Sequence, residues 1–476
     1  MRTDLTPPTP KTAPGGDVLR RLGPVFFHAG AAGVTLAFAL AAWLSRQAAL
    51  DVAGYLALIG LAWMGFALAW GACRSGFNGR VSSILIWAVI VRVAAFASAP
   101  LLEDDPWRYL WDGCQTSAWG HPYDRAPAES FQDPEVPVVM QRVLDRVNHP
   151  DLPTVYGPTA QLAFFVCHQL SPGALWPWKL MLAAADVFVL LQLLRLKHPG
   201  AGAFWAFCPL ILQCTFASAH LDGLAVGLAV AAGALAPSSH PTARHGWWLA
   251  LAVGTRPHAL LLSPWLLRRS RAAWLHFSIG TVLLHTPVLL GGGWPLDPDV
   301  ATRLGAWEFN PSVYAWFAAC MDPHHARWIM AGIFVLIWGL LVRRLLGTKG
   351  RNPVAQTPAP PGDVLFGALW LLSPVVNPWY LLWMAPYVAL RPAAWSVVAL
   401  AAVALSYVTG LRTGDASLGA FGHPGWVRPV EYGLIAAAGV WDVLRWRQAR
   451  RVHPPGPMRS ISDSSPSAPG EVRTRG

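Results

Sequence analysis

Charge is what this sequence has least of. Asp, Glu, Lys and Arg make up 13% of its 476 residues, too few to cover a water-soluble surface of that size. Cysteine is sparse as well. The six cysteines, at 73, 114, 167, 208, 214 and 320, form no CxxC pair and mostly lie in or beside apolar runs. That argues against a disulfide framework or a cysteine metal site and leaves them as small core residues. No GxxxxGK[ST] loop and no GxGxxG fingerprint occurs, so nucleotide-driven and dinucleotide chemistry have no support. There is no HExxH spacing, and His324-His325 reads as a solvated pair. The sequence requires no cofactor and leaves use of a divalent metal open. No cleavable signal peptide is expected, because the first apolar run follows a polar Pro/Thr-rich tail and is long enough to stay as an anchor.

What is there is apolar. Hydrophobic residues make up 54% of the chain and recur in runs of spanning length, where a span needs roughly 20 residues. The expected fold is all-α, a polytopic transmembrane helical protein. The net charge of +11 does not argue for nucleic acid, because much of it flanks the apolar runs and orients them. Spans are expected near 25–45, 52–73, 81–101, 176–194, 272–291, 325–342 and 426–444, among others. The basic groups at Arg20-Arg21, Arg74, Arg80, Arg195, Lys197, Arg268–Arg271, Arg343–Arg351 and Arg445–Arg451 are assigned to the cytoplasm. This threading gives about twelve spans with both ends inside. It requires that the run 158–171 and the segment 246–266 do not cross. The latter is interrupted at Thr255-Arg256-Pro257, and broken segments are tolerated where they line a protein cavity. The expected organisation is a cytoplasmic tail at 1–24, an integral membrane domain at 25–445 and a basic tail at 446–476, with both tails disordered. An outer loop covers 102–157, a second 293–324, and a Pro-rich cytoplasmic linker 347–362. A bacterial inner membrane is the expected location.

The threading gathers the unusual polar residues on the outer side. Foremost is Glu103–Gly113 (EDDPWRYLWDG), which packs four carboxylates and an arginine into eleven residues directly after a span. Charge at the mouth of a span marks a functional site by default. Asp105-Pro106 reads as a helix start, with Asp105 as N-cap and Pro106 at the first helical position. The helix then puts Asp105, Tyr109 and Asp112 along one face. Asp104 is within reach of Arg108, so this region supports both a capping-and-pairing reading and a general base.

These residues resemble a family. Glu103–Gly113, followed by Gly120-His121-Pro122-Tyr123, Asn148-His149-Pro150 and Pro153-Thr154-Val155-Tyr156-Gly157-Pro158, is similar to the first outer loop of bacterial GT-C glycosyltransferases. The likeness is greatest to polyprenyl-phosphate-mannose-dependent mannosyltransferases. His220-Leu221-Asp222 fits in order. Arg256-Pro257-His258 stands where the family often has Lys-Pro-Gln, and Asn377-Pro378-Trp379-Tyr380 where it often has His-Pro-Trp-Tyr. The resemblance covers roughly 80–390. It implies a GT-C-like fold with amphipathic helices in the first large outer loop. It also implies an inverting hexosyltransferase, with a polyprenyl-phosphate sugar donor, mannose being the nearest match, and an envelope lipid or glycan acceptor. Membrane lipids are the remaining partners.

That chemistry needs a carboxylate to take the acceptor proton and a cation to steady the leaving phosphate. Because phosphate leaves, no general acid is strictly needed. Asp105 and Asp104 are the candidate bases, which the resemblance does not separate. Arg256 is the candidate phosphate ligand, since an arginine inside an apolar segment is costly unless paired and its fork suits phosphate. Pairing with Asp222 is the competing role. Arg92, the other arginine inside an apolar run, is expected to pair with a carboxylate. Arg108, Tyr109, Asp112, Tyr156, His220, Asp222, His258, Trp379 and Tyr380 complete the expected substrate-binding set. Trp107, Trp111 and Trp307 also fall in polar outer segments, though most of the 26 tryptophans suit interfacial anchoring. Residues 299–316 suit either a lid or an ordinary interfacial helix. Two other readings share this setting: a lipid-linked-sugar flippase or secondary transporter, and an envelope glycan polymerase or ligase. The concentration of carboxylates in one outer loop, and the lack of a visible repeat, favour the transferase.

Overall fold

A computed structural model describes residues 15–75, 81–196, 199–290, 302–303, 305–347 and 359–452. The expected tails before 15 and after 452, most of the linker, Arg80, Lys197 and 293–301 lie outside those residues. Among the described residues the chain is helical, and its one sheet-like feature is an isolated bridge between Phe309 and Val375.

The first half contains α1 (Gly15–Arg46), α2 (Val52–Arg74), α3 (Val81–Phe96), α4 (Asp105–Trp119), α5 (Val138–Leu144), α6 (Pro158–Leu170) and α7 (Trp176–Arg195). Next come α8 (Pro199–Phe207) and α9 (Pro209–Ala217), bent by 51° at their junction. Proline lacks the N–H that would continue the ladder, so Pro209 sets this bend. Then follow α10 (Asp222–Ala231), α11 (Ala243–Thr255), α12 (Arg271–Leu290), α13 (Val313–Cys320), α14 (Pro323–Gly347), α15 (Gly362–Leu372), α16 (Ala385–Leu390), α17 (Ala394–Ala402) and α18 (Val427–Val452).

Five of these helices are long and apolar enough to cross a membrane: α1 from Leu22, α2, α7, α12 and α14. The bent pair α8–α9 makes a sixth if taken as one span. Shorter apolar helices, among them α3, α10 and α15, complete the apolar set. The expected spans 25–45, 52–73, 176–194, 272–291 and 325–342 coincide with the long helices to within a few residues, whereas 81–101 ends early at Phe96 and 426–444 folds as part of α18, which is not among the helices apolar enough to cross. The run 158–171 folds as the 13-residue α6, about 20 Å long and short of a bilayer core. The segment 246–266 does break where expected. α11 stops at Thr255, Arg256 is extended (φ −143°, ψ 120°), and a 3₁₀ turn runs over Pro257–Leu262.

Packing follows the rules for helices in lipid. α1 and α2 cross with backbones almost touching, and a Cβ on Gly30 would come within 2.5 Å of the Gly65 carbonyl oxygen. Small residues at such crossings let dispersion contacts replace the missing hydrophobic drive. Buried charged side chains have polar partners. Arg92 Nε donates to Asp186 at 2.6 Å, and its Nη1 to the Ala206 carbonyl at 3.1 Å. Arg92 thus belongs to the core, and its carboxylate comes from α7. Lys179, a further buried cation that sequence reasoning passed over, donates to the carbonyls of Ser98 and Phe96 beyond α3. α14 presents apolar side chains outward, among them Trp328, Val335 and Leu336, as a lipid-facing helix does.

Candidate functional site

The acidic loop is built around a buried ion pair. Arg108 donates to Asp112 at 2.8 Å one turn along α4, and its Nη2 donates to the Leu152 carbonyl at 2.9 Å. Gln161 of α6 donates to Asp112 at 3.0 Å, and the Thr154 hydroxyl donates to the same carboxylate oxygen. Asp112 is fully buried. These contacts lash residues 149–156 to α4. Gly113 lets α4 lie flat on α6, because a Cβ there would sit 2.4 Å from the Phe164 carbonyl oxygen.

Three expectations for this helix are corrected. Asp104 is the N-cap and Asp105 the first helical residue, and Asp104 makes no side-chain capping bond. Asp104 does not pair with Arg108; it accepts from Asn148 instead. Asp112 does not share a ligand-facing surface with Asp105, because its partners enclose it. Arg108 and Asp112 thus hold 149–156 against α4, and neither lines the cavity on which Asp105 opens. Trp111, fully buried in the loop's own core, is likewise unavailable to a sugar, and Trp107 lies under Arg146 at 4.6 Å.

Asp104 and Asp105 sit together. The Asn148 side-chain amide donates to both, at 2.9 Å to Asp104 and 2.7 Å to Asp105. The other Asp105 oxygen lies 3.5 Å from His220 Nδ1 and 3.4 Å from the Tyr109 hydroxyl. Tyr109 is buried beneath it, stacked on Phe164 with centroids 4.7 Å apart. His220 is fully buried and sits between two carboxylates, with Glu103 3.9 Å from Nε2. Both separations are longer than a good hydrogen bond. Trp379 covers the imidazole, stacked at 3.8 Å. Tyr109 and His220 thus support Asp105 from behind instead of meeting a ligand.

The two aspartates have opposite electrostatics. Burial raises the Asp104 pKa, and the neighbouring Asp105 charge adds to that. Burial acts in the same direction on Asp105, but His220, Asn148 and Arg256 outweigh it and hold the carboxyl below its ordinary value. Glu103 is raised, chiefly by burial. Asp105 is thus the carboxyl whose ionised form its neighbours favour.

Asp104 and Asp105 open on a cavity of about 440 Å³, also lined by Glu103, Asn148, Tyr156, Arg256, Trp379 and Tyr380. Its roof is made of Trp307, Phe309 and Phe421, with Trp307 edge-on to Phe421 at 5.0 Å. The described part of the 299–316 segment therefore lies over the cavity, and Phe309 is held there by backbone bonds to Pro374 and Val376. A second cavity of about 460 Å³ adjoins it, lined by His258, Phe366, Leu369, Trp370 and Trp383 with Val288 and Leu289 of α12. Tyr156, Arg256 and Tyr380 belong to both walls.

Arg256 is the residue between the chambers. Its Nη2 and Nε donate to Asp222 at 2.8 and 3.2 Å, so the pairing role is real. Asp222 is fully buried and also accepts from Trp383 Nε1 at 2.9 Å. The guanidinium lies near the rings of Tyr156 and Tyr380, at 5.9 and 6.0 Å. Among the described residues Nη1 has no protein partner. Asp222 is therefore the counter-ion that positions Arg256. His258 faces the second chamber, edge-on to Trp383 at 4.2 Å.

Sequence reasoning anticipated Trp307 and Phe309 within the 299–316 segment but missed Glu103, Asn148, Arg412 and Phe421 as lining residues. Arg412 borders the first cavity and donates to the Leu102 carbonyl, from a segment 310 residues further along. Asn148 was visible in the Asn-His-Pro string, but nothing local linked its amide to two distant carboxylates. Comparison with family models, curated proteins and solved structures returned no match.

Proposed function

We propose that this chain is an integral membrane glycosyltransferase that moves a hexose, with mannose the leading candidate, from a polyprenyl phosphate to an envelope lipid or glycan hydroxyl on the outer face. The observation that carries the reading is the pair of chambers meeting at Arg256. One is the more polar and is lined by three carboxylates; the other is largely apolar. A donor with a lipid tail, a phosphate and a sugar has the same order of polarity. Its tail would occupy the chamber lined by Phe366, Leu369 and Val288, its phosphate would meet Nη1 of Arg256, and its sugar would extend toward Asp105. The family resemblance points the same way, with the shorter apolar helices completing a GT-C-like set of about twelve crossings.

The reaction balances as one displacement. The acceptor oxygen bonds to the anomeric carbon as the bond to the phosphate oxygen breaks, so the configuration inverts. Asp105 takes the acceptor proton, and the electron pair leaves with the phosphate. Asp105 suits the base role by position, since it opens on the cavity while Asn148, His220 and Tyr109 fix its carboxylate. Asp104 beside it suits acceptor binding, and Trp379 and Tyr380 offer ring faces to the sugar.

The test is an assay of purified protein with radiolabelled polyprenyl-phosphate mannose and extracted envelope lipids and glycans. Transfer of label to an envelope fraction, lost in Asp105→Asn, is the expected result. Intact donor after prolonged incubation with every fraction and with other polyprenyl-phosphate hexoses would overturn the reading.

A further inference from the structure

A third cavity lies away from this site, between α7, α10 and α11. It has a volume of about 700 Å³. α10 and α11 each have one end at the site, at Asp222 and Arg256, and the other end at this groove. The groove runs along α10 from Leu224 to its end, and the end of that 10-residue helix lies about 15 Å from Asp222.

The sequence carves the groove in two ways. Small residues form its floor: Gly227 packs so closely on Ala185 that a Cβ would sit 2.7 Å from the Ala185 Cβ. α10 also stops early. Gly233, at φ +97°, turns the chain, with bonds from Gly233 N to the Val230 carbonyl and from Ala234 N to the Ala229 carbonyl. This is the glycine-dependent end that only a residue without a Cβ adopts at low cost. α7 runs on past that point to Arg195.

The rim of the groove is cationic. Arg195, in the last turn of α7, and Arg244, in the first turn of α11, both line it and are exposed. Neither has an ion-pair partner among the described residues, and no carboxylate lines the groove. His245 adds a third donor. Its Nδ1 accepts from the Thr242 backbone N–H at 3.0 Å, so a neutral ring carries its proton on Nε2. Phe188, Leu224, Leu228 and Trp248 supply apolar walls.

We propose that this groove binds one anionic glycerophospholipid of the inner leaflet, with the phosphate between Arg195 and Arg244 and an acyl chain along α7 and α10. Basic pockets between membrane helices on the cytoplasmic side recognise such headgroups. The charge pattern of the spans assigns this end of α7 to that side.

The experiment is native mass spectrometry of the full chain released from phosphatidylcholine nanodiscs doped with phosphatidylglycerol. An arginine beside an anionic headgroup favours it by about fivefold, so two give a preference of about 25-fold for one retained phosphatidylglycerol. Arg195→Gln with Arg244→Gln should bring the preference close to parity. Ala231→Trp, which fills the groove without changing charge, should expel the lipid. Arg445→Gln with Arg447→Gln, on α18 away from the groove, should change nothing. An undiminished preference in the double groove variant overturns the proposal, as does equal loss in the α18 control. Preferential retention of polyprenyl phosphate in an equimolar mixture would also overturn the assignment to a phospholipid. Should Ala231→Trp fail to fold, the exposed arginine pair still decides. None of these readouts depends on transferase activity.

Discussion

Asp104 and Asp105 are adjacent in sequence and differ in environment, which makes their roles separable. Asp105→Asn should abolish transfer, whereas Asp104→Asn should leave measurable turnover with weakened acceptor binding. The pH profile gives an independent check. Asp105 is held below the ordinary carboxylate range, so a reaction needing its ionised form persists as pH falls through that range and fails only below it. Asp104 is raised, so a reaction needing its ionised form would fail above that range. The position of the acid limb of kcat/KM thus reports which carboxylate works. Arg256 calls for a conservative change, because removing it strands the buried Asp222 at a cost of about 3–5 kcal/mol. Arg256→Lys keeps the charge and loses the fork, so the donor KM should rise by about tenfold while the acceptor KM stays level. A rise confined to the acceptor would remove Arg256 from the donor site.

The helices decide what could be read in advance. The break at Arg256 was legible because proline and an isolated charge both interrupt one apolar run. The helix at Pro106 was legible within one residue, since Asp-Asp-Pro offers two adjacent caps and only the fold chooses between them. The role of Asp112 was not legible: its enclosure depends on Thr154 and Gln161, more than 40 residues away. Helical periodicity gives a face but not what that face meets. The α4–α6 contact yields a prediction of its own. Gly113→Ala places a methyl group against the Phe164 carbonyl, so α4 must shift, destabilising the protein by about 1–3 kcal/mol. A lowered Tm together with a raised donor KM is expected, because α4 carries Asp105 and α6 follows Tyr156. An unchanged Tm would mean that the helices have slack at this crossing.

At the scale of the whole molecule, the threading puts the carboxylates on the outer face together with Cys320. Cys320 at the end of α13 is exposed, whereas the other five cysteines are buried or half-buried. A membrane-impermeant maleimide applied to intact spheroplasts should therefore label Cys320, and Cys320→Ser should remove the signal. Labelling only after the membrane is opened would reverse the orientation and move the carboxylates to the cytoplasmic side.

The Arg256–Asp222 pair also bears on how the chain is made. The ribosome delivers Asp222 34 residues before Arg256. Each alone would resist entering the bilayer, though both stand at helix ends, so the cost is below that of a charge at a helix centre, about 2.5–3.5 kcal/mol. Together they partly neutralise one another, so α10 and α11 are best inserted as one unit. The translocon would then hold α10 until α11 emerges. Asp222→Asn should accordingly reduce the protease-protected fraction of 243–266 during synthesis, and Arg256→Gln in the same chain should restore it. The bond that aims a guanidinium in the finished protein would thus first serve as the ticket by which two reluctant segments leave the translocon together.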